Sequence, residues 1–112
     1  MTIVGASAAR AQAWPSQQIK IVVPYIPGGA TDTAGRVVAE KLTALLGQQV
    51  IVENVPGAGG TTGTARVARA EPDGYTLLLQ QTGLTVTPAL YPKLAFNVEK
   101  DFAAIGMVNA SY

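Results

Sequence analysis

The sequence predicts an α/β fold, a Rossmann-like parallel sheet with helices on both faces. Three observations carry the prediction. Short β-branched runs alternate with amphipathic stretches in the order β-α-β-α-β, followed by a loose segment and a further β. The connections are short, which leaves parallel pairing through right-handed crossovers as the economical topology. Both glycine-rich stretches follow strand ends directly, so they share the sheet edge beyond which ligands of such folds bind.

Each element has its own signal. "IKIVVPY" from Ile19 to Tyr25 is β-branched and reads as a buried strand. Thr31 to Leu46 places Ala34, Val37, Val38, Leu42, Leu45 and Leu46 at spacings of three and four, one face of a helix. Thr31 or Asp32 suits its N-terminal cap, and Gly47 stands where a C-terminal glycine belongs. "QVIVENV" from Gln49 to Val55 is a second strand, closed by Pro56. "GAGGTTG" from Gly57 to Gly63 leads into a second helical stretch ending near Ala70. "EPDG" from Glu71 to Gly74 is turn chemistry. "YTLLLQ" from Tyr75 to Gln80 is a third strand, "TVTPALY" a loop with a short helix, and "DFAAIGMV" from Asp101 to Val108 a fourth strand.

Composition narrows the function classes. A chain of 112 residues with 48% apolar and 13% charged residues can build one small domain around a core. A net charge of +1 argues against a nucleic-acid partner, which draws a basic stripe. With neither Cys nor His, there is no thiolate nucleophile, no disulfide, and neither the commonest general base nor the commonest metal ligand. No cofactor is expected. No stretch is long enough to span a membrane. At the start, "MTIVGASAARAQA" is small and apolar, and Ala11-Gln12-Ala13 fits a signal-peptidase site, so residues 1–13 read as a signal-peptide remnant with cleavage before Trp14. Trp14 then anchors the start of the fold.

The glycine turns are the candidate site. A helix start exposes unpaired N–H groups and the positive end of its dipole, and glycine removes the Cβ that would hold a ligand away. Gly28-Gly29 before Thr31, and Gly57 to Gly60 before Thr61-Thr62, therefore read as two anion cradles with added hydroxyl donors. Tyr25 sits at the cleft edge, able to pack against a ligand. A phosphate loop needs a terminal G-K-[S/T], which is absent, and the dinucleotide fingerprint breaks because its third glycine position holds Thr62. Few Lys or Arg lie nearby, so a carboxylate suits these turns better than a polyphosphate. Asp32 reads either as a catalytic acid or as a first-turn acid favoured by the helix dipole; a lone acid supports no two-group acid/base mechanism. Glu53 and Asn54 end the second strand, pointing either into the cleft or at the neighbouring turn.

These segments together resemble the extracytoplasmic substrate-binding proteins of tripartite tricarboxylate transporters, the Bug-type receptors. The likeness rests on P-x-x-P-G-G-x-x-D from Pro24, E-N-x-P-G-A-G-G from Glu53 and P-D-G-Y-T from Pro72, and runs from about Trp14 onward. It implies a two-lobed periplasmic binding protein closing on a small carboxylate (a di- or tricarboxylate, an acidic amino acid or an aromatic acid) and delivering it to membrane permease subunits. It further implies that residues 14–112 are an incomplete first lobe, with the second lobe absent. The resemblance places ligand contacts in the loop from Tyr25 to Thr31, with Tyr25, Pro27, Gly28, Gly29, Ala30 and Thr31 as candidates and Asp32 a further candidate beside it. It adds Gly57, Ala58, Gly59, Gly60, Thr61 and Thr62, and the loop after the third strand, Gln81 and Thr82. Two other readings compete: a small Rossmann-like enzyme domain for a nucleotide or phosphorylated substrate, and a truncated fragment that binds nothing.

Overall fold

A computed structural model describes residues 13–110; the expected signal-peptide remnant lies almost wholly outside them. Three parallel strands, β1 (Ile19–Val23), β2 (Val50–Asn54) and β3 (Thr76–Leu78), form one sheet in the order β2-β1-β3. Ile19 pairs with Val50 and Val23 with Asn54, while Lys20 pairs with Thr76 and Val22 with Leu78. Three helices accompany the sheet: α1 (Ala30–Leu46), α2 (Thr61–Ala68), preceded by a single 3-10 turn at Ala58–Gly60, and α3 (Gly83–Leu90). No helix among the described residues is long and apolar enough to cross a membrane.

The order of the strands fixes which helix covers which face. The chain steps from β1 outward to β2, then back past β1 to β3. Right-handed crossovers in opposite directions put their helices on opposite faces. On one face Ile19, Ile21 and Val23 are buried with Val50 and Ala39 of α1, and Val38, Leu42, Leu46, Leu77 and Leu79 pack around them. On the other, Gly63 of α2 lies against Pro24 and the Val55 carbonyl. Glu53 there joins β1 to α2 through ion pairs with Lys20 (2.9 Å) and Arg66, which, with hydrogen bonds from both cations, lower its carboxyl pKa against the opposing effect of partial burial. The expected layering is thus present on both faces.

Several expectations need correction. The fully buried stripe of α1 is Thr31, Asp32, Gly35 and Ala39; of the expected face, Val38, Leu42 and Leu46 pack half-buried against the core, while Val37 and Leu45 are 56% and 80% exposed. The small residues win because they let the helix approach the sheet: a Cβ on Gly35 would stand 3.2 Å from both Leu79 and Val23. Gly63 lies inside α2 rather than ahead of it, and each strand is shorter than its apolar run. The stretch Asp101 to Val108 forms no strand. Its β-rich pattern meets no pairing partner among the described residues, and Ile105 and Met107 stand 83% and 80% exposed. Gly47 closes α1 at φ 70°, as expected. Trp14 packs against Tyr75, ring centroids 6.2 Å apart, and against Gly74, which fits an anchor.

Candidate functional site

In the parallel sheet β2-β1-β3 the first crossover runs from β1 to β2 and the second from β2 past β1 to β3. The loops that follow the neighbouring strands β1 and β3 therefore lie side by side at one sheet edge, and the gap between them is the candidate crevice. The loop after β1 carries Tyr25, Pro27, Gly28, Gly29 and Ala30 to the start of α1. The segment after β3 carries Gln80, Gln81 and Thr82 to the start of α3. The turn of Gly57, Ala58, Gly59 and Gly60 arrives from β2 at the start of α2.

The first turn is built around Asp32. Asp32 is 3% exposed, and its carboxylate accepts from the Gly28 amide (2.9 Å), Arg36 Nε (3.0 Å) and Asn54 Nδ2 (3.0 Å). The same Asn54 nitrogen donates to the Tyr25 carbonyl (3.2 Å), and Asn54 Oδ1 accepts from Arg36 Nη2 (3.3 Å). The Gly28 amide, then Asn54 and Arg36, hold the Asp32 carboxyl at about 2, below its ordinary 3.8. The first-turn reading of Asp32 is therefore the one its contacts support, and Asn54 bonds the turn rather than facing the crevice. Neither Thr31 nor Asp32 caps α1; Gly29 occupies the N-cap without a side-chain bond. Gly28, at φ +91°, has open space where a Cβ would stand, and Gly29 has only the Ile26 carbonyl at 3.9 Å. The first helical amides, which lack intrahelical acceptors, thus begin behind an open turn.

The second turn is filled. Gly57, Ala58, Gly59 and Gly60 all have positive φ, from 49° to 131°. A Cβ on Gly59 would stand 2.5 Å from the Tyr91 hydroxyl, one on Gly60 3.3 Å from both Tyr25 and Gln80, and one on Gly57 3.1 Å from Thr62 Oγ1. The room that these glycines provide is taken by the protein's own side chains. Thr61 Oγ1 donates to the Ala58 carbonyl (2.8 Å), so its proton serves the turn.

Across the crevice the two loops are joined. Gln81 Nε2 donates to Thr31 Oγ1 (2.6 Å). The Tyr25 hydroxyl bonds Gln80 Oε1, Gln80 Nε2 donates to Thr64 Oγ1 (3.0 Å), and Thr64 donates to the Gly60 carbonyl (2.7 Å). The expected residues therefore divide. Tyr25, Gly28, Gly29, Ala30 and Gln81 gather at the crevice, joined by Thr31, which is buried and bonded to Gln81. Asp32 is buried beneath it, and Thr82 caps α3 with its carbonyl on Thr85 Oγ1 (2.8 Å). Gln80 was legible as a polar residue closing an apolar strand. Nothing in the sequence marks Thr64, Arg36 or Tyr91, whose places depend on tertiary packing.

Residues 34–112 match the family described as tripartite tricarboxylate transporter family receptor, and the chain belongs to that family. A protein of Agrobacterium vitis, described as a UPF0065 protein in the TAR-I ttuE-ttuC' intergenic region, is 48% identical over 95 residues, 85% of this chain and 28% of that protein. Among solved structures, the periplasmic binding protein BugD is 44% identical with a TM-score of 0.76, over 80% of this chain and 30% of that one. MatC from Rhodopseudomonas palustris with bound malate is also 44% identical, with a TM-score of 0.70, over 80% and 31%. The chain thus spans under a third of the length of the relatives it matches. The family is one of receptors, and the neighbours are described as a periplasmic binding protein and a malate-bound protein rather than enzymes, which sets aside the nucleotide-enzyme reading.

Proposed function

We propose that this chain, as a member of the tripartite tricarboxylate transporter receptor family, forms the ligand-holding edge of a periplasmic solute receptor for a small carboxylate. The observation that carries the reading is the open first turn: Gly28 and Gly29 leave the start of α1 approachable beside a crevice between β1 and β3. The amides at the start of α1 and the Thr31 hydroxyl receive the carboxylate, and a backbone anion site of this kind needs no local Lys or Arg. The second turn contributes shape rather than bonds. In the whole receptor residues 14–112 belong to the first lobe, a second lobe closes over the ligand, and permease subunits receive it. Export to the periplasm follows from the signal-peptide reading of residues 1–13.

The test is an amide NMR titration of the full chain with a di- and tricarboxylate pool at millimolar concentration. Binding moves the Gly28, Gly29, Ala30 and Thr31 amides and that of Gln81, leaving the Gly57–Gly60 amides less affected. A well-dispersed spectrum that no carboxylate moves would overturn the reading.

A further inference from the structure

The hydrogen-bond chain behind the crevice has a direction, and its two ends fix that direction. At one end the Gln81 amide donates to Gln80 at 2.9 Å. A backbone N–H only donates, so the Gln80 atom facing it is the carbonyl oxygen Oε1. At the other end the Gly60 carbonyl only accepts, so Thr64 uses its proton there (2.7 Å) and must accept from Gln80 Nε2 (3.0 Å). Both constraints set the Gln80 amide the same way round. Tyr25 shares the Oε1 side, so its hydroxyl proton is committed to Gln80. Burial raises the Tyr25 phenol above its ordinary 10, against a smaller opposing effect of the Gln81 amide, so the proton stays on at neutral pH.

We infer that Tyr25 serves the crevice as a hydrogen-bond acceptor, which selects carboxylates that carry a donor, a hydroxyl or an ammonium, over carboxylates that carry none. The inference rests on the carboxylate reading above. A phenol whose proton is committed offers lone pairs only, and it repels a second carboxylate oxygen unless the Gln80 bond breaks. Thr31 is poised the opposite way. Its oxygen accepts from Gln81 Nε2, leaving its proton to donate to the carboxylate. The loop after β1 and the start of α1 thus offer an acceptor at Tyr25 and a donor at Thr31. For Tyr25 to accept from Gln80 instead, the Gln80 amide would have to flip. That would set its NH2 against the Gln81 N–H and its oxygen against the buried Thr64, whose proton is already given to the Gly60 carbonyl, a costly mismatch.

The experiment compares malate, aspartate and succinate, which share two carboxylates and differ in carrying a hydroxyl, an ammonium or neither. Each is titrated into the full chain by NMR. The wild-type chain should bind malate or aspartate about three- to tenfold more tightly than succinate, the effect of one neutral hydrogen bond; which of the two leads identifies the donor. Tyr25→Phe should abolish that preference, bringing malate, aspartate and succinate to within about twofold of one another. Gln80→Leu frees the Tyr25 proton, so it should raise succinate affinity and narrow the preference. Equal wild-type binding of all three ligands would overturn the inference and leave the carboxylate reading standing. So would a preference unchanged in Tyr25→Phe or, should that variant fail to fold, in Gln80→Leu. Binding of none of them would overturn both.

Discussion

Replacing Gly63 with Ala tests how closely α2 lies on the end of β1. A Cβ at this position would stand 2.6 Å from the Val55 carbonyl oxygen, 2.8 Å from Pro24 Cβ and 2.9 Å from Pro24 Cα. Carbon approaches a carbonyl oxygen to about 3.3 Å and another carbon to about 3.5 Å. The helix must therefore withdraw by roughly 0.7 Å, and none of the three atoms ends a flexible side chain that can swing aside. Overpacking of this kind costs about 1–3 kcal/mol, and rigid neighbours place it at the upper end. Alanine returns about 1 kcal/mol through its helix propensity. The net loss is about 2 kcal/mol. With a urea dependence near 1–2 kcal/mol/M for a small domain, the midpoint should fall by about 1–2 M. Gly35→Ala is the control, because its Cβ meets side-chain methyl tips and no backbone atom, those of Leu79 and Val23 at 3.2 Å and of Val52 at 3.7 Å. Those tips can yield by a few tenths of an ångström, and the propensity gain offsets the cost, so the midpoint should barely move. A Gly63→Ala chain as stable as wild type would refute the argument, as would equal losses at the two glycines.

Two further perturbations address the turns. The Asp32 carboxyl, lowered to about 2 from 3.8, takes its proton more readily in the unfolded chain. Its contribution to stability is therefore full above about pH 4 and fades as the pH falls toward 2. The gap in urea midpoint between wild type and Asp32→Asn should be constant above that window and close within it; a gap that widens on acidification would contradict the assigned contacts. At the second turn, Gly59→Ala forces a side chain onto φ +65° and drives its Cβ toward the Tyr91 hydroxyl. The left-handed backbone alone costs about 1–2 kcal/mol. Tyr91→Phe removes the clashing atom, so part of the further loss should return in the double variant. Additive losses would mean that Tyr91 is not seated on this turn.

Much of the fold was legible because its signals are local. The runs around β1 and β2, the glycine closing α1 and the alternation that implies a parallel sheet all depend on neighbours within a few residues. The failures share a physical origin in partners far along the chain. Spacing placed Ala34, Val37, Val38, Leu42, Leu45 and Leu46 on the buried face of α1; Val38, Leu42 and Leu46 do pack there, but Val37 and Leu45 do not, and the closest approach is made by Gly35 and Ala39. The run from Asp101 to Val108 has strand propensity, but a strand also needs an edge to pair with. The glycines of the second turn announced missing Cβ atoms correctly. They did not announce that Tyr25, Gln80 and Tyr91, which lie tens of residues away, fill the space.

A buried carboxylate under a turn proposed to hold another carboxylate needs an electrostatic account. Two like charges side by side at a helix start repel, which would offset part of what that helix start offers an anion. Asp32 escapes this because its charge is answered locally. Arg36 pairs with it at 3.0 Å, Asn54 donates to its other oxygen, and the Gly28 amide completes the set. The bonds that neutralise Asp32 also shape the turn, since Gly28 is pinned from inside and Asn54 ties the Tyr25 carbonyl to β2. Removing Asp32 would delete a negative charge near the crevice and yet loosen the backbone that aims the remaining amides. Anion capture here depends on the fixed direction of N–H groups more than on net charge, which is why a chain with so few cations near its glycine turns can still serve an acidic ligand.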